Sequence, residues 1–229
     1  VTFSGTVGGS EALGNTTIGT AVLTVAAIKV QGTLAITNSE TSTITGIISD
    51  GDSAAILTKA GAGTLTLSGD NTYTGATTVN AGALAITHAD ALGGTSGATT
   101  IANNAALEIS NGITTAAEGI TISGTGNSSR GAIRNISGNN TIAGQITIAA
   151  HTEIASDSGT LTLNISSGSS ITASNKNVTF DGAGNITVAD PIATGSGTLT
   201  KSGSGTLTLS AANTYTGAST ISNGVLIAT

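Results

Sequence analysis

The sequence contains many short runs in which threonine or another polar residue alternates with an aliphatic one. Clear examples are Thr64–Leu67, Thr160–Leu163 and Asn185–Val188. An alternation of period two puts every second side chain on the same side of an extended backbone, so each run predicts a strand with one buried face. Threonine, valine and isoleucine favour that backbone, and no long segment has the spacing of an amphipathic helix. The sequence therefore predicts an all-β protein.

Composition selects among the all-β architectures. Thr (43), Ser (26), Gly (33) and Asn (17) supply 119 of the 229 residues, and glycine and asparagine separate the runs. Many short strands are compatible with a sandwich, a barrel or a β-solenoid. Sandwiches and barrels usually bury aromatic side chains in a wide core, whereas a solenoid stacks aliphatic ones in a narrow core. Because only four aromatic residues occur, we predict a solenoid; they are Phe3, Tyr73, Phe180 and Tyr215.

Charge and residue usage exclude several classes of function. The net charge of −6 comes from 12 acidic and 6 basic residues, so a nucleic-acid partner is not expected. The chain lacks cysteine, which removes disulfides and thiolate metal sites. No apolar run approaches the ~18 residues of a membrane helix, so we expect no membrane insertion. Because the first residue is Val1, we expect a processed or excised segment without its signal peptide. We expect no membrane barrel in it either, because the ten-residue alternating segments with aromatic girdles that form one do not occur.

An internal repeat supports the solenoid and sets its expected length. Residues 58–86 and 200–228 are identical at 18 of 29 positions. With roughly 20 residues per coil, the two copies are expected about seven coils apart in a single domain of about 11 coils. At ~4.8 Å per coil, such a rod would be roughly 50 Å long.

The two copies resemble the passenger-associated transport repeat of bacterial autotransporters. The first copy carries GTLTLSG followed by NTYTGATTVNAGALAI, and the second carries GTLTLSAANTYTGASTISNGVL. This resemblance implies a right-handed parallel β-helix that is exported to the extracellular surface of a Gram-negative cell. It also implies an outer-membrane translocator as a partner in the parent protein.

Each residue type in the motif has an expected structural role. We expect the leucines to point into the coil stack, the glycines to sit at sharp corners, the asparagines to bond to turn backbone, and the tyrosines to pack or cap corners. These residues are Gly63, Leu65, Leu67, Asn71, Tyr73, Gly75 and Gly82 in the first copy, and Gly205, Leu207, Leu209, Asn213, Tyr215, Gly217 and Gly224 in the second.

The sequence at each end of the chain predicts an apolar strand. An uncapped solenoid end exposes a strand edge, which predicts either continuation into more chain or head-to-tail stacking of copies. The residues of this possible interface are Val1, Phe3, Val225, Leu226 and Ile227.

Few residues are candidates for catalysis or for metal binding. Asp50 and Asp52, placed around Gly51, could bind calcium, although a solvated Asp-Gly turn explains the same spacing. His88 and His151 lie far apart in the sequence, neither belongs to an H-E-x-x-H motif, and both are expected to be isolated surface histidines. We expect no cofactor and no catalytic site.

Three functions remain open at this point. The leading hypothesis is a structural stalk or scaffold of a surface adhesin, or a fibre-forming subunit. A binding module for self-association, a host surface or a glycan is the second. A polysaccharide-cleaving β-helix enzyme is the third, and it would need converging carboxylates from residues such as Asp50, Asp181 or Asp190.

Overall fold

The computed structural model describes residues 1–229 and consists of 23 short strands, with one 3₁₀ turn at Asn127–Ser129. No helix in it is long and apolar enough to cross a membrane. In chain order the strands are β1 (Thr2–Val7), β2 (Thr16–Thr20), β3 (Thr24–Asn38), β4 (Ser42–Ile44), β5 (Ile48–Ala60), β6 (Thr64–Leu67), β7 (Thr77–Val79), β8 (Gly82–Ile86), β9 (Thr99–Ile101), β10 (Ala105–Ile109), β11 (Ile120–Gly124), β12 (Ile133–Asn135), β13 (Asn139–Ile142), β14 (Ile146–Ser156), β15 (Thr160–Leu163), β16 (Ile171–Ala173), β17 (Val178–Asp181), β18 (Asn185–Val188), β19 (Ile192–Ala193), β20 (Leu199–Lys201), β21 (Thr206–Leu209), β22 (Ser219–Ile221) and β23 (Val225–Ala228).

Every strand pairs in parallel with a strand about one coil away. One ladder can be followed through eight pairings, from Ser42 in β4 to Ile221 in β22. Each pairing in this ladder advances the chain by one coil, so the ladder extends over most of the rod. The chain is a parallel β-solenoid of about 11 turns, which confirms the predicted fold.

Three ladders form the walls of the rod. One wall contains β5, β7, β9, β11, the first part of β14, β16 and β19. The second contains β4, β6, β8, β10, β12, the last part of β14, β17, β20 and β22. The third exists only in the C-terminal half and contains β13, β15, β18, β21 and β23.

The core is a continuous aliphatic column. A cluster of 42 buried residues runs from Leu23 to Leu209, and Tyr73 and Phe180 are its only aromatic members. Outward positions carry the polar half of the alternation. On the third wall, for example, a threonine stacks on a threonine in four successive coils, at Thr141, Thr162, Thr187 and Thr208. The alternation that predicted the strands is thus used to fill a narrow core.

The two repeat copies lie closer along the rod than the expected spacing of about seven coils. Six pairings lead from Leu65 to Lys201, and Leu207, which corresponds to Leu65, lies on the next strand in a different wall. The reason is that several coils are longer than expected, as the pairing of Leu107 with Ile133 shows. The second copy is consequently turned by one wall around the rod axis.

Candidate functional site

Each repeat copy has a buried lysine at the same position of the motif. Lys59, in β5, is fully buried, and its Nζ donates hydrogen bonds to the carbonyl oxygens of Ala60 (2.8 Å), Gly61 (2.9 Å) and Ala81 (3.1 Å). Burial lowers the pKa of Lys59 to about 8. Since Ala81 belongs to the next coil, the ammonium group joins two successive corners. The sequence motif does not by itself indicate a role for this lysine, although Thr-Lys precedes the glycines in both copies.

Lys201 repeats the two local hydrogen bonds of Lys59 in the second copy. Its Nζ donates to the carbonyl oxygens of Ser202 and of Gly203, the latter at 2.9 Å. Burial lowers the pKa of Lys201, and the nearby Asp181 carboxylate opposes that shift. The corner lysine is therefore a feature of the motif and not of one coil.

We expect Lys59→Met to destabilise the protein by about 2–4 kcal/mol, because it leaves three partly buried carbonyl oxygens without their charged donor. Urea unfolding followed by circular dichroism measures the change. Lys29→Met is the matched control: the Lys29 side chain is only partly buried, so a change within about 0.5 kcal/mol is expected. Equal effects at the two positions would contradict the proposed role of the corner lysine.

The motif glycines are required mainly by contact between coils. A Cβ atom on Gly63 would lie 2.1 Å from the carbonyl oxygen of Glu40 in the preceding coil, and one on Gly205 would lie 1.8 Å from that of Gly184. Left-handed backbone occurs at Gly61 (φ +79°) and Gly82 (φ +69°) in the first copy, and at Gly203 (φ +68°) and Gly224 (φ +73°) in the second. The sharp turn expected at the motif glycines is therefore found at two glycines per copy.

The motif asparagines connect neighbouring coils. The Asn71 Oδ1 atom accepts the Ile48 backbone N–H at 2.8 Å, and its Nδ2 donates to the Ala91 carbonyl oxygen at 2.6 Å. In the second copy, Asn213 Oδ1 accepts the Ile192 N–H at 2.9 Å. Each asparagine thus satisfies backbone groups that the turn would otherwise leave unpaired.

The motif tyrosines make the same local hydrogen bond in both copies. The Tyr73 hydroxyl lies 2.6 Å from Thr77 Oγ1, and the Tyr215 hydroxyl lies 2.7 Å from Ser219 Oγ. Tyr73 is completely buried, whereas Tyr215 is partly buried. The motif leucines all lie in the core; they are Leu65, Leu67, Leu207 and Leu209.

The predicted end residues lie at the two ends of the rod. Val1 and Phe3 are 62% and 41% exposed on the first coil, and Val225 and Ile227 are 50% and 44% exposed on the last strand. Leu226 is partly buried against the core. The one surface depression is lined by β1, from Thr2 to Val7, and none of its lining side chains is ionisable.

The acidic residues weighed for chemistry have separate structural roles. Asp50 accepts hydrogen bonds from the Ala55 N–H (2.7 Å) and from the Thr74 N–H and Oγ1 (2.7 Å for Oγ1). Asp190 Oδ2 accepts the Ile165 N–H at 2.7 Å and the Ser170 hydroxyl at 2.9 Å. The Asp52 side chain is exposed, and calcium binding at the Asp50–Asp52 pair stays a prediction.

One buried carboxyl group belongs to no sequence motif. Glu118 is 2% exposed, and its Oε1 accepts a hydrogen bond from Thr99 Oγ1 in the preceding coil. Burial raises the pKa of Glu118 to about 7, and the hydrogen bond from Thr99 opposes the shift. No local pattern in the sequence marks Glu118, because its burial depends on the coils above and below it.

His88 is not the isolated surface histidine that the sequence predicted. It lies against two carboxylates, those of Asp70 in the preceding coil and of Asp90 in its own turn. Asp70 is distant from His88 in the sequence, and Asp90 is close to it but belongs to no recognisable motif. Only the stacking of the coils brings the three side chains together.

Comparison with known proteins supports the repeat assignment. A family described as passenger-associated-transport-repeat matches residues 57–86 and 199–228. No curated protein and no solved structure matches the chain.

Proposed function

Since the chain carries two passenger-associated transport repeats on a parallel β-solenoid, as an autotransporter passenger domain does, we propose that it is a rigid stalk at the bacterial cell surface. The repeat family implies secretion to that surface. The observation that carries the stalk role is the continuous core of 42 residues, which runs nearly the whole length of the rod. In the parent protein, an outer-membrane translocator would export it.

The stiffness of the rod follows from how the coils are joined. The backbone forms 123 hydrogen bonds to itself, and buried side chains such as Lys59 and Asn71 add further bonds between coils. A stack of coils that is hydrogen-bonded both along its walls and at its corners resists bending. A spacer that holds an adhesive domain away from the outer membrane needs this stiffness, and it needs no catalytic group.

The stalk proposal predicts that reach depends on the number of coils. Deleting residues 65–106 joins Thr64 to Leu107, which occupies the Leu65 position two coils later in the same ladder. We expect a folded rod shortened by about 10 Å, measured as the maximum dimension in small-angle X-ray scattering. In a surface-displayed fusion, antibody access to an N-terminal tag should fall with the shortening.

A deletion out of register supplies the control. Removing residues 65–96 joins Thr64 to Gly97, in the turn before β9, and mismatches the walls, so cooperative unfolding should be lost. The stalk proposal fails if the in-register deletion leaves tag access unchanged although the rod is shorter.

A second candidate function is self-association through the rod ends. The exposed apolar side chains at both ends, Phe3 and Val225 among them, accompany strand edges that lack a neighbour on one side. An edge of this kind pairs readily with another strand. We propose that the end coil of a second copy of the chain covers each of these edges.

For that candidate we expect the wild type to form longer rods as concentration rises. Val225→Lys combined with Ile227→Lys should keep it monomeric, because lysine on an edge strand disfavours pairing. Sedimentation velocity over a hundredfold concentration range provides the measurement. A wild type that stays monomeric throughout would reject end-to-end association and leave the stalk proposal intact.

A further inference from the structure

Three side chains with metal-ligating atoms meet on one corner of the rod. Asp70 lies in the turn after β6, and His88 and Asp90 lie in the segment after β8. Since β6 and β8 are paired, Leu67 against Ile86, the two turns are stacked. One nitrogen of His88 and one oxygen of each carboxylate all lie within 4.8 Å of one another.

The imidazole nitrogen Nδ1 of His88 faces the Asp90 turn. It accepts the backbone N–H of Asp90 at 3.2 Å, and a metal ion bound at this nitrogen would replace that hydrogen bond. The same Nδ1 lies 3.9 Å from Asp90 Oδ2. Imidazole nitrogen and carboxylate oxygen are both ligands that divalent transition metals accept. The side chains of His88 and Asp90 are 40% and 49% exposed, so an ion can reach them.

The backbone that presents these groups is fixed by neighbouring hydrogen bonds. Asn71, the residue after Asp70, is 3% exposed. Its backbone N–H donates to the Asp90 carbonyl oxygen at 3.2 Å, and its Nδ2 donates to that of Ala91 at 2.6 Å. These two bonds hold the Asp70 turn against the Asp90 turn, so the backbone positions of the ligands are fixed and only their side chains need to rotate.

We propose that Asp70, His88 and Asp90 bind one divalent first-row transition metal ion, with Zn²⁺ as the best fit. Zinc takes imidazole nitrogen and carboxylate oxygen at about 2.0–2.2 Å, and three protein ligands leave its fourth position for water. Ligand atoms around such an ion lie about 3.4 Å apart, so rotations of partly exposed side chains close the site. Calcium and magnesium prefer an all-oxygen shell and fit less well.

The site would act as a clamp between two coils. Asp70 comes from one coil and the other two ligands from the next, so a bound ion would link the two coils. The chain has no cysteine, so no disulfide can form such a link. The second repeat copy has Ala212 at the position of Asp70. The structure therefore predicts one site per chain, independent of whether the rod acts as a stalk.

Titration of the full chain with ZnCl₂ in an isothermal calorimeter tests the site. We expect one Zn²⁺ per chain, visible absorption of tetrahedral Co²⁺ on substitution, and a rise in the melting temperature with Zn²⁺, since a ligand that binds only the folded state stabilises it. Asp70→Asn and His88→Ala should each weaken Zn²⁺ binding at least tenfold and abolish the Co²⁺ spectrum.

His151→Ala is the matched control. His151 Nδ1 also accepts a backbone N–H, from Asn177 at 2.9 Å, but His151 belongs to no group of three ligands. This variant should bind Zn²⁺ as the wild type does, and far-ultraviolet circular dichroism should show all variants folded. Absent Zn²⁺ binding, or binding that His88→Ala leaves unchanged in a folded protein, overturns the proposal.

Discussion

Leu84→Ala will destabilise the protein by about 2–5 kcal/mol, whereas Leu226→Ala, at the same position of the second repeat copy, will cost less than about 1 kcal/mol. Leu84 is fully buried between coils, so truncation removes its burial energy and leaves a cavity. Leu226 is only partly buried on the last strand. The sequence motif is the same, and the position along the rod decides the cost.

Urea unfolding followed by circular dichroism compares the two variants, and hydrogen exchange shows where the rod opens. In a stack of coils, each coil contacts only its neighbours, so end coils open at lower cost than internal ones. We therefore expect Leu226→Ala to increase exchange in β23 alone. A loss of stability at Leu226 as large as that at Leu84 would contradict this account.

Glu118→Gln will stabilise the protein at pH 8 by up to about 3 kcal/mol and will have little effect at pH 4.5. Burial raises the pKa of Glu118 from 4.5 to about 7, and each unit of difference is worth about 1.4 kcal/mol. The folded state holds the proton more tightly than the unfolded state. Its stabilising contribution is therefore present below pH 4.5 and lost as the pH rises through 7. Glutamine keeps an oxygen that accepts the Thr99 hydrogen bond and carries no charge.

The free energy of unfolding, measured in urea at half-unit steps from pH 4.5 to 8, tests this prediction. Glu153 contributes in the same direction, because burial and the Asp181 carboxylate raise its pKa to about 7 as well. Glu153→Gln should remove a smaller part of the slope, since this side chain is less enclosed and better screened. A wild-type slope that neither variant reduces would show that other groups control the pH dependence.

The sequence identified many residues of the candidate site but not the contacts that they make between coils. The motif identified the glycines and asparagines, but the reason for Gly63 is the carbonyl oxygen of Glu40 one coil earlier. The lysine at position 59 was visible in the motif, yet nothing local shows that Ala81 receives one of its hydrogen bonds. In each case the missing information is the identity of the neighbour across the stack.

From the sequence alone it follows that the protein is all-β, that it winds into a solenoid and that two copies of one motif recur in it. These features depend on alternation along a strand and on turn residues, and both are local. Only the folded rod establishes which residue lies over which. Coil length is not constant, since Leu65 pairs with Leu84 across a short coil and Leu107 pairs with Ile133 across a longer one. Because each added residue shifts all later coils, the groups that meet across the stack, such as Asp70 with His88 and Thr99 with Glu118, are fixed by the tertiary structure.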